Sequence, residues 1–342
     1  MQNTSLLLQH RNPNRGLFSS LAAQLSLGLA DGYRMRPVYR RRGAYYFITR
    51  RCTQRKFLLL SGKLTDALVT YALANAAKRT HMQILGFCVM SNHYHLVCYD
   101  PHGNVSKFAH HFNLFVARSC NAAHGRAENF WASDGMCIVE LVERQDVVDK
   151  LAYTLANPVA AGLVGRASAW FGVSSWRAMI DDTTLETARP RVFYRKTAPA
   201  LASVRITVPP DMGPRAAFVV DVVAAVRAIE HRCDVTRQQH KTQVLGRANV
   251  LKQSREASPM TRHQMFGLRP RVACRSQWAR IATLQRNTDF EHAHAAARQR
   301  LLRGEVANFP LGTVAMCALI GPVREPDGPP LVNVFAAYDD AS

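Results

Sequence analysis

The run Ala44-Tyr45-Tyr46-Phe47-Ile48-Thr49-Arg50 is apolar, aromatic or β-branched up to its last residue, and it is entered through Gly43. That composition predicts a strand. Over residues 63–79, Leu64, Ala67, Leu68, Tyr71, Ala72 and Ala74 recur at helical spacing and predict a helix. Met82 to Met90 and Asn92 to Tyr99 read as two strands joined by a tight turn near Ser91, and Asp100-Pro101-His102-Gly103-Asn104 is a turn cluster. Val105 to Cys120 predicts a helix with Phe108, Phe112, Phe115 and Val116 on one side. Cys137 to Val142 is a short strand, and 145–157 a helix stopped by Pro158. The order strand, helix, strand, strand, helix, strand, helix is a ferredoxin-like α+β pattern: an antiparallel sheet with helices packed on one face.

Beyond this segment, Asp181 to Pro210 is polar, basic and proline-containing. The expected organisation is a disordered N-terminal extension over 1–36, a catalytic domain over 37–180, a linker over 181–210, a mainly helical basic accessory domain over 211–325, and a tail over 326–342. In the accessory region, Phe218, Val219, Val222, Val223, Val226 and Ile229 make one apolar stripe. Gln243-Val244-Leu245-Gly246-Arg247 has the look of a helix-turn-helix turn, against a plain basic packing domain. Met35 opens the clearly patterned part of the chain, which makes residues 1–34 a dispensable extension.

Charge narrows the function. The chain has 342 residues and a formal net charge of +20. Such a balance points to a polyanionic partner, nucleic acid first. Residues 231–303 hold 15 Lys or Arg against 4 Asp or Glu, which fits contact with a phosphate backbone. No run of eighteen apolar residues occurs, so no transmembrane helix is expected. The eight cysteines form no Cys-x-x-Cys pair, which argues against a zinc finger or a disulfide framework and for a reducing cytoplasm.

Two candidates for chemistry stand out. His93 and His95 flank one residue inside a predicted strand, where side chains two apart share a face. They can hold one metal ion, or be a structural pair. The second candidate is Tyr153. On a wheel of about 100° per residue with Val147 at zero, Val148, Leu151, Ala152 and Leu155 form the apolar arc, and Tyr153 falls near 240° among polar groups. It is either a surface residue or a nucleophile. Lys150, one turn before it, can favour the phenolate, and Asn157, one turn after, can offer an oxygen to a metal held by the histidines. An activated phenolate attacks phosphodiesters, and a divalent metal neutralises the charge that develops.

Three stretches occur in a familiar order: Ile48-Thr49-Arg50-Arg51-Cys52-Thr53-Gln54-Arg55, Met90-Ser91-Asn92-His93-Tyr94-His95-Leu96-Val97, and Tyr153-Thr154-Leu155-Ala156-Asn157-Pro158-Val159-Ala160-Ala161-Gly162-Leu163-Val164. With Trp131 and Ser174-Ser175-Trp176, residues 37–178 resemble the REP-associated tyrosine transposases, relatives of the single-tyrosine HUH transposases. The resemblance implies a HUH endonuclease fold and a metal-dependent endonuclease and strand transferase acting on single-stranded or hairpin DNA from palindromic repeats. It implies His93 and His95 as metal ligands and Tyr153 as the nucleophile that forms a 5′-phosphotyrosine. The implied metal is Mg²⁺ or Mn²⁺, although two imidazoles alone suggest a borderline metal such as zinc. Better-studied relatives carry a glutamine as third ligand where this chain has Asn157, so an acid such as Asp146 is an alternative.

Arg50, Arg51, Arg55 and Asn92 are the expected DNA contacts, with a solvated face as the plain reading of the arginines. The resemblance also implies a bacterial cytoplasmic, nucleoid-associated protein with no membrane role. Dimeric relatives supply the tyrosine in trans, so a homodimer is an open alternative. The rival functions are a non-catalytic DNA-binding regulator on the same fold and an RNA-binding sheet module.

Overall fold

The structure is a computed structural model and describes residues 39–133, 135–260, 270–303, 305, 307–310 and 312–313. The extension expected over 1–36, the start at Met35 and the tail over 326–342 lie outside the described residues. A principal unit spans Arg40–Thr283.

That unit is built on strands β1 (Ala44–Arg51), β2 (Gln83–Val89), β3 (His93–Asp100) and β4 (Cys137–Leu141), in the order β2-β3-β1-β4, with a two-residue strand, Val272–Ala273, beyond β4. The first four pair antiparallel, and Val272–Ala273 joins β4 in parallel. β1 is central, which suits its aromatic and β-branched residues: Ala44 through Ile48 are all buried. Helices α1 (Lys63–Thr80) and α2 (Val105–Ala123) connect the strands and pack on each other. The turn cluster ahead of α2 is organised by the buried Asp100, whose carboxylate accepts from the backbone N–H of His102, Asn104 and Val105 at 3.1, 2.9 and 2.6 Å. The strand and helix order is the ferredoxin-like one that the patterning predicts.

Three features differ from expectation. The helices cover both faces of the sheet, not one. Helix α3 (Arg144–Ala160) packs against β2, β3 and β4, and its Tyr153 meets His95, whereas Phe112 of α2 meets the neighbouring Tyr94, which alternation turns to the opposite face. Helix α3 also continues past Pro158, which stands in its last turn. There the missing N–H removes one bond, and the following N–H groups close the end, Ala161 onto Asn157 O and Leu163 onto Pro158 O, each at 2.9 Å.

The third difference lies in the expected linker over 181–210. It is a β-hairpin of β5 (Thr184–Ala188) and β6 (Leu201–Arg205) docked on α1, with Tyr71 Oη donating to Pro199 O at 2.6 Å. Beyond the five-residue helix α4 (Trp176–Ile180) and this hairpin, α5 (Arg215–Gln239) lies on α3 through the buried Phe218, Val222 and Val226. The principal unit therefore continues through the boundary expected near 181–210. Helix α6 (Gly246–Leu251) has six residues and a buried Val250, too short for a recognition helix of a helix-turn-helix.

The edge strand Val272–Ala273 is β7, and α7 spans Gln277–Leu302. In the second unit, Tyr39 packs on Phe290 at 4.9 Å between ring centres, and Ala297, Leu301 and Phe309 form a small core. Among the described residues, no helix is long and apolar enough to cross a membrane.

Candidate active site

The strand alternation places His93 and His95 on one face of β3, their rings 4.7 Å apart and nearly perpendicular. In β1 their partners across the ladder are Arg51 and Thr49. Phe47, two residues further along the same face, stacks on the His95 ring at 5.3 Å. Helix α3 crosses this face and sets Tyr153 with its ring 5.1 Å from His95 and 6.1 Å from Phe47. Gly86 makes the close approach possible: a Cβ there would lie 2.7 Å from Leu151 Cδ2, 3.1 Å from Ser175 Oγ and 3.3 Å from Met179 Cε. The tyrosine is 43% exposed although α3 is buried around most of its circumference, including Asp146 and Asn157. The wheel predicts a polar face there, and coverage of the helix by both the sheet and α5 explains the difference.

The immediate surroundings of the histidines are unequal. Asn92 Oδ1 lies 2.7 Å from His93 Nδ1, an arrangement that holds the proton on Nδ1 and turns the Nε2 lone pair outward. Asn157 stands near both His93 and Tyr153, where it opposes the effect of burial on each. His95 is buried, and neither ring nitrogen has a hydrogen-bond partner among the described residues. A buried unsatisfied polar group costs about 1–3 kcal/mol, so such a ring calls for an explanation. Burial pushes His93 down to about 4, with Arg51 and Arg55 adding to the shift against the Asn157 hydrogen bond. Burial, His93 and Lys150 hold His95 well below the usual imidazole range. Both rings are therefore neutral at neutral pH, the form that binds metal. Two neutral imidazoles, one oriented by a neighbour and one lacking any partner, fit a divalent cation with Asn157 beside them.

Lys150 does not perturb Tyr153 as expected. Its Nζ lies 5.5 Å from the centre of the tyrosine ring and 5.3 Å from that of Phe47. Burial raises the phenol above its ordinary value, and the opposing effect comes from the hydrogen bond to Asn157. Asp146 is already engaged: its oxygens accept from the backbone N–H of Glu143 and Arg275, each at 2.9 Å. It also stands with Glu143 and Cys274 in a group whose ligand atoms lie within 4.8 Å of one another, but the carboxylate is used to start α3.

The expected DNA contacts occupy the rim of this site. A cavity of about 620 Å³ opens beside His93 and is lined by Arg50, Arg51, Arg55 and Asn92 among others. Arg51 stands across the ladder from His93, but Arg50 stands across from Tyr94 and lays its guanidinium 5.3 Å over the Trp131 ring. Gln54 and Arg55 both take left-handed backbone conformations, with φ of 50° and 59°. Non-glycine residues adopt this at a cost of roughly 1–2 kcal/mol each, and it carries the chain around the end of β1. The Asn92 amide, expected to touch DNA, is spent within the protein, since Nδ2 donates to Arg55 O at 3.1 Å and Oδ1 meets His93. Sequence reasoning missed Phe47 as the ring platform and Gly86 as the spacer. The strict alternation of β1 and β3 pointed to the first, but only the register pairs them.

Residues 42–146 match the family described as "Transposase IS200 like". The match holds both histidines and stops before Tyr153. Among solved structures, a REP-associated tyrosine transposase bound to a REP hairpin aligns at 19% identity and a TM-score of 0.37, covering 42% of this chain and 82% of that one. A putative transposase from Deinococcus radiodurans aligns at 17% identity and a TM-score of 0.25, covering 28% of this chain and 78% of that one. No curated protein matches the chain in sequence. Over residues 42–146, the strands that carry the histidine pair included, the chain is similar to the IS200-like transposases.

Proposed function

We propose that this protein is a metal-dependent endonuclease and strand transferase for single-stranded DNA at hairpin-forming repeats, with Tyr153 as nucleophile. The observation that carries this reading is the buried His95 ring, with no hydrogen-bond partner at either nitrogen among the described residues, 5.1 Å from a half-exposed tyrosine. His93, His95 and Asn157 would hold Mg²⁺ or Mn²⁺. When bound, the cation would supply charge neutralisation at a non-bridging phosphate oxygen.

The chain's own groups do the rest. Tyr153 Oη attacks phosphorus, the P–O3′ bond breaks, and the phosphate stays on the tyrosine as a 5′-phosphotyrosine while the leaving oxygen takes up a proton as a free 3′-hydroxyl. Attack by the hydroxyl of a second strand reverses the step and joins DNA. Asn157 orients the phenol, and the Lys150 ammonium stands over the rings of Phe47 and Tyr153. Arg51 and Arg55 stand beside His93, where a DNA backbone would run.

The test is to incubate the full chain with hairpin single-stranded DNA and Mn²⁺ and look for a covalent adduct that survives denaturation. The adduct is expected with the unaltered protein and absent in Tyr153→Phe and His95→Ala. Hairpin binding with no adduct across metals and sequences would instead favour a non-catalytic regulator.

A further inference from the structure

The cavity beside His93 has a wall from a distant part of the chain. Gln253 and Pro259 line it together with Arg51, Arg55, Asn92 and His93. They belong to segment 253–259, more than a hundred residues beyond the family-matched 42–146. This segment is clasped to the core. Glu256 pairs with Lys56 at 2.6 Å and with Arg126, Phe57 N donates to Ala257 O at 3.0 Å, and Arg255 Nη1 donates to Leu60 O at 3.0 Å. The clasp holds Gln253 half-buried, and its side-chain amide has no hydrogen-bond partner among the described residues.

The lining is of two kinds. Phe57, Met90, Leu163 and Pro259 are apolar, while three arginines and two amides are polar; among the described lining residues there is no carboxylate. An apolar wall, cations at the mouth and a primary amide are what an unstacked nucleotide requires: a surface for the base, charge for its phosphate, and paired donor and acceptor atoms for a base edge. The volume of about 620 Å³ is within the range of small-molecule sites and takes a single nucleotide.

We infer that this cavity binds one unpaired nucleotide of the DNA strand next to the bond that is cut, and that Gln253 reads its base. Glu256 acts as a positioning residue that keeps the segment in place. The inference rests on the proposed function for its substrate class, and it assigns sequence selectivity to a residue outside the transposase-family segment.

The test uses the full chain and a library of hairpin single-stranded oligonucleotides with a randomised stretch flanking the hairpin foot. Bound molecules are sequenced, so the readout does not depend on cleavage. The unaltered protein should enrich one base at one position by roughly tenfold. That preference should vanish in Gln253→Ala and weaken in Glu256→Gln, while both variants keep the thermal melting of the folded protein. A preference unchanged in Gln253→Ala overturns the inference, and so does a bound pool with no base preference. A preference that depends on Gln253 without any tyrosine adduct would keep the nucleotide pocket and sink the endonuclease reading.

Discussion

Replacing His95 by leucine should make the metal-free protein more stable while abolishing its chemistry. The neutral imidazole carries one donor and one acceptor, both buried and neither satisfied among the described residues. At about 1–3 kcal/mol per unsatisfied group, removing both is worth roughly 2–6 kcal/mol. Leucine loses the ring contacts with Phe47 and Tyr153, at about 0.5–1.5 kcal/mol per pair, which offsets part of the gain. The balance is a stabilisation of about 1–3 kcal/mol, or very roughly 2–10 °C in melting temperature for a unit of this size.

The assay is thermal unfolding in EDTA and again in excess Mn²⁺. In EDTA the His95→Leu protein should melt above the unaltered one. In Mn²⁺ the unaltered protein should gain about 2.7 kcal/mol at a hundredfold excess over its dissociation constant, and the variant should gain little. A variant destabilised in EDTA by about 1 kcal/mol or more, on the scale of an ordinary core substitution, would refute the reasoning, because it would mean that the ring is satisfied without metal.

Two more expectations follow from the same site. The Gly86→Ala protein places a methyl group against Leu151 and Ser175, so it should lose about 1–3 kcal/mol and form adduct more slowly, and Leu151→Ala in the same chain should restore part of the rate; wild-type rates in the single variant would contradict the spacer role. The depressed histidines also make stability pH-dependent. Unfolded imidazoles titrate near 6.5, whereas the folded His93 is pushed down to about 4 and the buried His95 is held well below the usual imidazole range, so the unfolded chain binds more protons as pH falls below 6.5. Stability is full above pH ~6.5 and declines as pH falls toward 4; urea titrations should show a shallower decline in His95→Leu, and parallel curves would exclude a buried neutral His95.

Much of the segment that carries the candidate site was legible in the sequence because its signals are local. The His-x-His spacing needs only strand alternation to bring both rings to one face, and the Tyr153 helix is set by its own apolar period. What was not legible depends on contacts far apart in the chain. The hairpin at 184–205 has two five-residue strands with exposed alternate positions, so its composition reads as linker until α1 is seen beneath it. Asp146 is met by the backbone N–H of Arg275, more than a hundred residues further along the chain. Arg50 and Arg51 look equivalent in sequence, yet the register with β3 sends one toward Trp131 and the other toward His93.

The outer edge of β2 is not open. Cys88 bridges to Ser174 and Ile84 to Ile206, Trp170 Nε1 donates to Val89 O at 3.1 Å, and Ser175 exchanges hydrogen bonds with Phe87. At the opposite edge, β4 is covered in part by the short β7. A sheet fenced in this way offers little backbone for another strand to zip onto. Two copies of this chain could not fuse their sheets through β2 without first peeling away the 170–179 segment, whose Ser175 and Met179 would also meet a side chain at Gly86. The segment that packs beside Gly86 thus also protects the β2 edge from fibril-like pairing, so loosening it would expose the chain to aggregation.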